Sequence, residues 1–234
     1  MMPPIKDRLI ILEETDSTNT YLKNLPDAAE GQAVLARRQS GGRGRQGRSF
    51  SSPEGGLYLS LRYTMDAPPG AVTAGAAVAV RRAIKSLCDL EAGIKWVNDL
   101  IIGGKKVCGI LTELEKGAYI IGVGVNIASA PEGLDNAACL ADFGARCSVE
   151  ELAEAIIREL DALAAAEGDF REEYVSACLN LGKEQLIVQG NSRRVAFAEA
   201  VDADFSLIVR LPEGGREKIF YGEVSLRAID GTYI

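Results

Sequence analysis

Gly41-Gly42-Arg43-Gly44-Arg45-Gln46-Gly47-Arg48 is a run of glycines and guanidinium groups set between two apolar segments, Ala33-Val34-Leu35-Ala36 and Leu57-Tyr58-Leu59-Ser60-Leu61. Both flanks have the texture of core strands, rich in aliphatic and aromatic side chains. Glycine brings backbone N–H groups close to a ligand, and each arginine offers a planar, permanently charged fork that matches carboxylate or phosphate oxygens. The run therefore reads as an anion clamp. Taken alone it also suits a solvated loop or a nucleic-acid contact. A long glycine loop strung between two core strands is usually functional, which favours the clamp. With Arg37 and Arg38 just upstream, like charges crowd a short span, so the segment is expected to repel itself and stay mobile until an anion gathers it.

The rest of the chain is acidic. Its 234 residues carry a formal net charge of −7, with 47% hydrophobic and 25% charged residues. That balance describes a globular protein able to bury a proper core. A net negative chain lacks the electrostatic footprint for nonspecific DNA, RNA or anionic-membrane binding, so the arginine cluster is a local site and not a basic face. No apolar run reaches the length of a membrane span, and Leu9-Ile10-Ile11-Leu12 near the start is too short for a signal sequence; the expected location is the cytoplasm. The five cysteines, Cys88, Cys108, Cys139, Cys147 and Cys178, show no C-x-x-C spacing and read as reduced, mostly core thiols.

The chain contains no histidine. Ser-His-Asp and Cys-His nucleophiles and histidine-ligated metals are thereby excluded. Chemistry must run on Lys, Arg, Asp, Glu and backbone dipoles, a set suited to phosphoryl or adenylyl transfer, where positioning and charge stabilisation dominate. No metal-ligating residues are picked out.

Along the chain, Leu9 to Glu13 reads as a strand and Asp16-Ser17-Thr18-Asn19 as a helix start, where side-chain oxygens accept from free N–H groups or hold a small polar ligand. Ala33 to Gln39 and Leu57 to Tyr63 are strands; Phe50, between them, is either a core plug or a stacking platform. Pro68-Pro69-Gly70 opens an alanine-rich helix from about Ala71 to Leu90. Ile94 to Ile102 and Lys106 to Leu114 read as a hairpin joined at Gly103-Gly104, and a second turn at Lys116-Gly117 leads into Ala118 to Ile127. Gly122 and Gly124 do not make a dinucleotide fingerprint, since Ile127 stands where a third glycine belongs and no helix follows. Ser148-Val149-Glu150-Glu151 is a capping box ahead of the stripe Leu152, Ile156, Leu160 and Leu163. A further helix spans Asp169 to Leu179. Beyond Gln185 short alternating strands (186–188, 195–198, 205–209, 218–221 and 223–226) make a small barrel-like module.

Seven motifs then carry a resemblance, in this order: Asp16-Ser17-Thr18-Asn19; Gly42 to Arg48; Ser52-Pro53 through Ser60; Lys95-Trp96-Val97-Asn98-Asp99-Leu100; Lys106-Val107-Cys108-Gly109-Ile110-Leu111; Gly122-Val123-Gly124-Val125-Asn126; and Gly222-Glu223-Val224-Ser225-Leu226-Arg227. The ordered set, spanning nearly the whole chain, resembles the biotin protein ligases, of the type without an N-terminal DNA-binding domain. The resemblance implies an α+β fold: a mixed β-sheet with helices on one side, similar to class II synthetases, over residues 1–182, and a small C-terminal SH3-like β-barrel over 183–234. It implies ATP and Mg2+ as requirements, biotin as substrate, biotinyl-5′-adenylate as intermediate and the biotin carboxyl carrier domain of a carboxylase as partner. The apolar strand Ala118 to Ile127 is further expected to pair across a homodimer.

The same resemblance implies the site. Ser17, Thr18, Asn19, Gln39, Arg43, Gly44, Arg45, Lys106 and Gly109 match positions around biotin. Arg45, Arg48, Phe50, Asn98 and Asn126 match positions around the nucleotide, and Lys106, Arg45 and Asp99 match the catalytic set, with Lys106 between the biotin carboxylate and the α-phosphate and Asp99 near the incoming lysine. Phe50 stands where the family commonly has Trp, and Val97 where it commonly has Pro. Other readings stay open: a lipoate or octanoate ligase of the same superfamily, although those usually show histidine-containing motifs; a non-catalytic biotin-binding protein; and an RNA-binding protein using the Gly/Arg run. Read from the residues alone, Asn98-Asp99 equally suits a turn, Lys106 a solvated strand position and Trp96 the core.

Overall fold

The computed structural model describes residues 2–131, 133–165, 170–220, 225–229 and 233. In chain order its elements are α1 (Ile5–Arg8), β1 (Leu9–Thr15), α2 (Thr18–Asn24), β2 (Ala33–Gln39), β3 (Gly56–Tyr63), α3 (Pro69–Cys88), β4 (Gly93–Lys95), β5 (Asp99–Ile102), β6 (Lys105–Glu115), β7 (Ala118–Asn126), α4 (Val149–Ala165), α5 (Arg171–Ala177), β8 (Glu184–Gln189), β9 (Ser192–Val201), β10 (Leu207–Arg210), β11 (Arg216–Ile219) and β12 (Ser225–Arg227). Short 3-10 turns lie at Arg45–Gly47 and Leu140–Phe143.

The first seven strands form one sheet, ordered β1-β2-β3-β7-β6-β5-β4. β1 and β2 run parallel and the other pairs antiparallel, so the sheet is mixed as expected. On one face Leu57, Leu59, Leu61 and Tyr63 of β3 meet Ile121, Val123 and Val125 of β7 under α3 and α4. Each such side chain contributes about 1.5–3 kcal/mol by leaving water. The small residues Ala74, Ala76 and Ala77 of α3 are buried, and Gly75 leaves room for the Phe170 ring, which a Cβ there would meet at 3.2 Å. α4 starts at the capping box: Ser148 Oγ accepts from Glu151 N (3.1 Å) while Ser148 N donates to Glu151 Oε2 (2.9 Å), and Leu152, Ile156 and Leu160 are buried as the stripe requires. The opposite face is only partly covered, by α2 through Leu22 on Val34 and Ile120. The remainder of that face is open for a site.

Two expectations change. The run Ile94 to Ile102 is not one strand but folds at Trp96-Val97-Asn98 into the tight pair β4–β5. Periodicity cannot reveal this, because a short apolar run looks alike straight or folded; a remote side chain fixes it, Asn180 Oδ1 accepting from Trp96 N at 2.6 Å. The peptide joining Trp96 to Val97 is cis. Second, β7 is bonded on both sides, to β3 and to β6, so the strand Ala118 to Ile127 has no edge with which to pair across a dimer. Of the cysteines, Cys108, Cys139 and Cys178 are buried, while Cys88 and Cys147 are half-buried with their sulfurs 3.3 Å apart.

The C-terminal strands form a separate antiparallel sheet, ordered β11-β10-β9-β8-β12, in agreement with the SH3-like module. The expected positions 169 and 221–224, including Gly222, Glu223 and Val224 of the last motif, lie outside the described residues. Trp96 joins the two sheets: it is buried, and its Nε1–H donates to Phe205 O at 2.9 Å. Phe205 itself stacks on Phe170 and meets Tyr174 edge-on.

Candidate active site

The open face of the large sheet is paved with glycine. Gly122 and Gly124 project to the same side of β7, as residues two apart must, and Gly109 of β6 pairs directly with Gly124. A Cβ on Gly124 would stand 2.5 Å from the Phe50 ring, one on Gly109 3.1 Å from the same ring, and one on Gly122 2.3 Å from Asn19 Oδ1. Two neighbouring side chains thus lie flat on a floor that only glycine permits. This explains the glycines that failed as a dinucleotide fingerprint. Phe50 is no core plug: half-buried, it lies over the floor with its ring edge-on to Tyr58.

One end of the slot is polar. Ser17 precedes α2 but makes no capping bond through its side chain; it is buried and lines the pocket instead. The cap comes from a distant strand, Gln39 Oε1 accepting from Thr18 N at 2.8 Å. Gln39 Nε2 in turn donates to Ser52 Oγ (2.8 Å), and Ser52 donates to Phe50 O (2.9 Å), a relay that ties the start of α2 to the base of the clamp. Asn19 is fixed by Ser60, which donates to its Oδ1 at 2.6 Å, and by Glu113, which accepts from its Nδ2 at 2.9 Å.

The clamp is a folded hairpin over the slot. Arg43 bridges Ser49, Gly44 N donates to Arg48 O (2.7 Å) and Phe50 N to Gly42 O (2.9 Å). Arg43 pairs with Glu113 at 3.4 Å, and Arg45 Nη1 donates to the neutral amide oxygen Asn98 Oδ1 at 2.7 Å. Arg37 and Arg38 belong to β2 and pair with Glu13, Glu150 and Glu14, away from the clamp. Glu113 also pairs with Lys23 at 2.6 Å. Burial works to raise its carboxyl, but Lys23, Asn19 and Arg43 outweigh it and hold it below the usual range.

At the far end Lys106 Nζ lies 2.7 Å from Asp99 Oδ1, and Asn98 Nδ2 approaches the same oxygen at 3.2 Å. The hydroxyl of Tyr233 donates to Asp99 Oδ2, and Lys95 Nζ stands 3.2 Å above the Tyr233 ring. Burial alone would raise the Asp99 carboxyl; the charge and hydrogen bond of Lys106, with Tyr233 and Lys95, reverse this and hold it low. Lys95 is pushed down to about 7, chiefly by burial.

Ser17, Thr18, Asn19, Gln39, Arg43, Gly44, Arg45, Arg48, Phe50, Asn98, Asp99, Lys106 and Gly109 all line this one pocket. Asn126 does not: its buried amide donates to Ala138 O at 3.0 Å and ties down the following loop. Sequence reasoning assigned no role to Ser60, Lys95, Glu113 or Tyr233, which only tertiary contacts bring to the site. Among the described residues the lining cations Arg43, Arg45, Arg48, Lys95, Lys106 and Arg227 face a single lining carboxylate, Asp99. The pocket is therefore strongly positive within an acidic chain, suited to a polyanion beside a flat, uncharged group. No group of three or more His, Cys, Asp or Glu side chains able to hold a metal occurs among the described residues.

Residues 11–127 match the profile of the biotin/lipoate A/B protein ligase family. The chain is 31% identical to a biotin--[acetyl-CoA-carboxylase] ligase of Paracoccus denitrificans, over 91% of this chain and 100% of that protein. It is 39% identical to the bifunctional ligase/repressor BirA of Bacillus subtilis over 52% of this chain, a match that spans only 40% of that longer relative. Its fold superposes on a biotin protein ligase from Aquifex aeolicus in complex with biotin and ATP with a TM-score of 0.84 at 28% identity, covering 94% of this chain and 99% of that one.

Proposed function

The chain belongs to the biotin/lipoate A/B protein ligase family, and from its pocket we infer that it is an ATP-dependent biotin protein ligase, which makes biotinyl-5′-AMP and passes biotin to a lysine of a biotin carboxyl carrier domain. The observation that carries this reading is the junction of a glycine-floored slot, polar at one end, with a cluster of cations at the other. A ureido ring needs donors and acceptors together with an apolar slot for the body of the vitamin. Ser17, Thr18, Asn19 and Gln39 supply the first, and Gly109 and Gly122 the second. The complex of the Aquifex aeolicus ligase with biotin and ATP supports the same pair of substrates.

In the first half-reaction Lys106 neutralises charge between the biotin carboxylate and the α-phosphate, while Arg45 and Arg48 spread the charge that develops on the phosphate oxygens. Phe50, beside Lys106 (Nζ 5.8 Å from the ring centre), and Asn98 serve the adenine side. Pyrophosphate leaves, and the hairpin Gly41 to Phe50 covers the mixed anhydride, excluding water that would hydrolyse it. In the second half-reaction Asp99 attracts the ammonium of the carrier lysine. Mg2+ would bind with the nucleotide's phosphates and offset their charge.

Residues 1–182 form the catalytic unit and 183–234 the appended module of an enzyme that works in the cytoplasm. No helix among the described residues is long and apolar enough to cross a membrane. A homodimer stays within the proposal, without β7 as its seam. The test is to supply biotin, lipoate or octanoate with ATP and a carrier domain. Pyrophosphate release and carrier labelling with biotin are expected; labelling by lipoate or octanoate instead, or biotin binding without pyrophosphate release, overturns the reading.

A further inference from the structure

Lys95 has no part in the mechanism above, yet it is 5% exposed and lines the pocket. It is the direct cross-strand partner of Asp99 in the β4–β5 pair. Among the described residues its ammonium makes no ion pair and lies against the face of Tyr233, whose hydroxyl is bonded to Asp99. A buried amine without a carboxylate partner is costly to keep charged. Its position beside the carboxylate that awaits the carrier amine gives it a use.

We propose that Lys95 accepts the proton from the carrier lysine's ammonium in the transfer step, while Asp99 only attracts and orients that ammonium. The inference rests on the ligase reading. Asp99 is poorly placed to act as base: Lys106 and Tyr233 occupy its two oxygens, and its carboxyl is held below the usual range. Lys95 is the better matched group, since a general base works best near the operating pH. Among the described residues the groups facing it are Asp99 of β5, Lys106 of β6, Arg48 of the clamp, Arg227 of β12 and the ring of Tyr233. Burial drives it down to about 7; Asp99 opposes this, and the three other cations add to it. Near neutral pH much of it is free amine.

The carrier ammonium gives one proton to the Lys95 amine and becomes a free amine. Its lone pair forms a C–N bond to the biotinyl carbonyl carbon, the C–O bond to AMP breaks, and AMP departs with that electron pair. The second proton of the attacking nitrogen goes to solvent, as does the one later released by Lys95. The incoming amine displaces the Tyr233 hydroxyl from Asp99.

The test follows single-turnover transfer from preformed enzyme-bound biotinyl-AMP to a carrier domain between about pH 5.5 and 9.5, in the wild type, Lys95→Arg and Lys95→Gln. The wild-type rate is expected to climb about tenfold per pH unit and level off near 7, whereas both variants climb without a plateau towards the pKa of an ordinary lysine, about 10.4. At pH 7.5 their transfer should be about 10²–10⁴-fold slower. Hydroxylamine, already a neutral amine there, needs no base, so trapping of biotinyl-AMP as the hydroxamate should fall far less than carrier transfer. A wild type without the limb near 7, variants that keep it, or hydroxamate formation that drops as far as transfer overturns the assignment. A wild type that makes no biotinyl-AMP overturns the ligase reading itself.

Discussion

Lys106 Nζ and Asp99 Oδ1, on neighbouring strands, are 2.7 Å apart, so the two groups assigned to successive half-reactions are held as one ion pair. Removing either must disturb the other, but unequally. Lys106→Ala takes away the cation that meets the developing phosphate charge, and adenylate formation should slow by about 10²–10³-fold. Asp99→Ala frees Lys106 without removing it, and should slow carrier transfer by about tenfold or more beyond any change in pyrophosphate release. Single-turnover assays of the two steps measure both.

Phe50 lies on Gly109 and Gly124, close to Lys106. Phe50→Ala should weaken ATP binding by about 3–10-fold, the range for loss of one aromatic stacking contact. Biotin affinity should change less, because the polar end of the slot is held by other residues. Titration calorimetry with each ligand checks the difference.

A methyl group on Gly122 would collide with Asn19 Oδ1 and break the bond that Ser60 gives it. Gly122→Ala should therefore weaken biotin binding by about 10–100-fold, on the scale of an overpacking penalty of about 1–3 kcal/mol. A variant that binds biotin normally would show that Asn19 does not shape the slot.

Glu113 bears on pH stability. Its carboxyl is held below the usual range, burial being outweighed by Lys23, Asn19 and Arg43. A depressed carboxyl stabilises the fold above its unfolded pKa, about 4.3, and that contribution disappears as pH falls through the folded value. Glu113→Gln should lower the melting temperature at neutral pH and flatten its decline between about pH 5 and 3. Scanning calorimetry across that interval tests the sign.

Trp96→Phe keeps most of the buried ring but leaves Phe205 O without its donor. An unpaired buried carbonyl costs about 1–3 kcal/mol. For a chain of this size the melting temperature should drop by about 2–4 °C per kcal/mol, provided the two sheets unfold together.

The clamp, the helix start at Asp16, the capping box at Ser148 and the two glycine turns were legible in the order of residues, because each is a local device: a few neighbours with particular backbone freedom, caps or charge. Motif order also pointed to the residues that converge on the pocket, all but Asn126. The break of Ile94 to Ile102 into β4 and β5 was hidden, since the bond that fixes it comes from Asn180. So was the ion pair that holds Arg43 of the clamp to Glu113 of β6. The composition alone established an acidic chain without histidine whose chemistry must rest on lysine, arginine and carboxylates. That Lys95 should lie buried beside Asp99, with Tyr233 between them from the far end of the chain, followed from long-range packing, which no local pattern of side chains encodes.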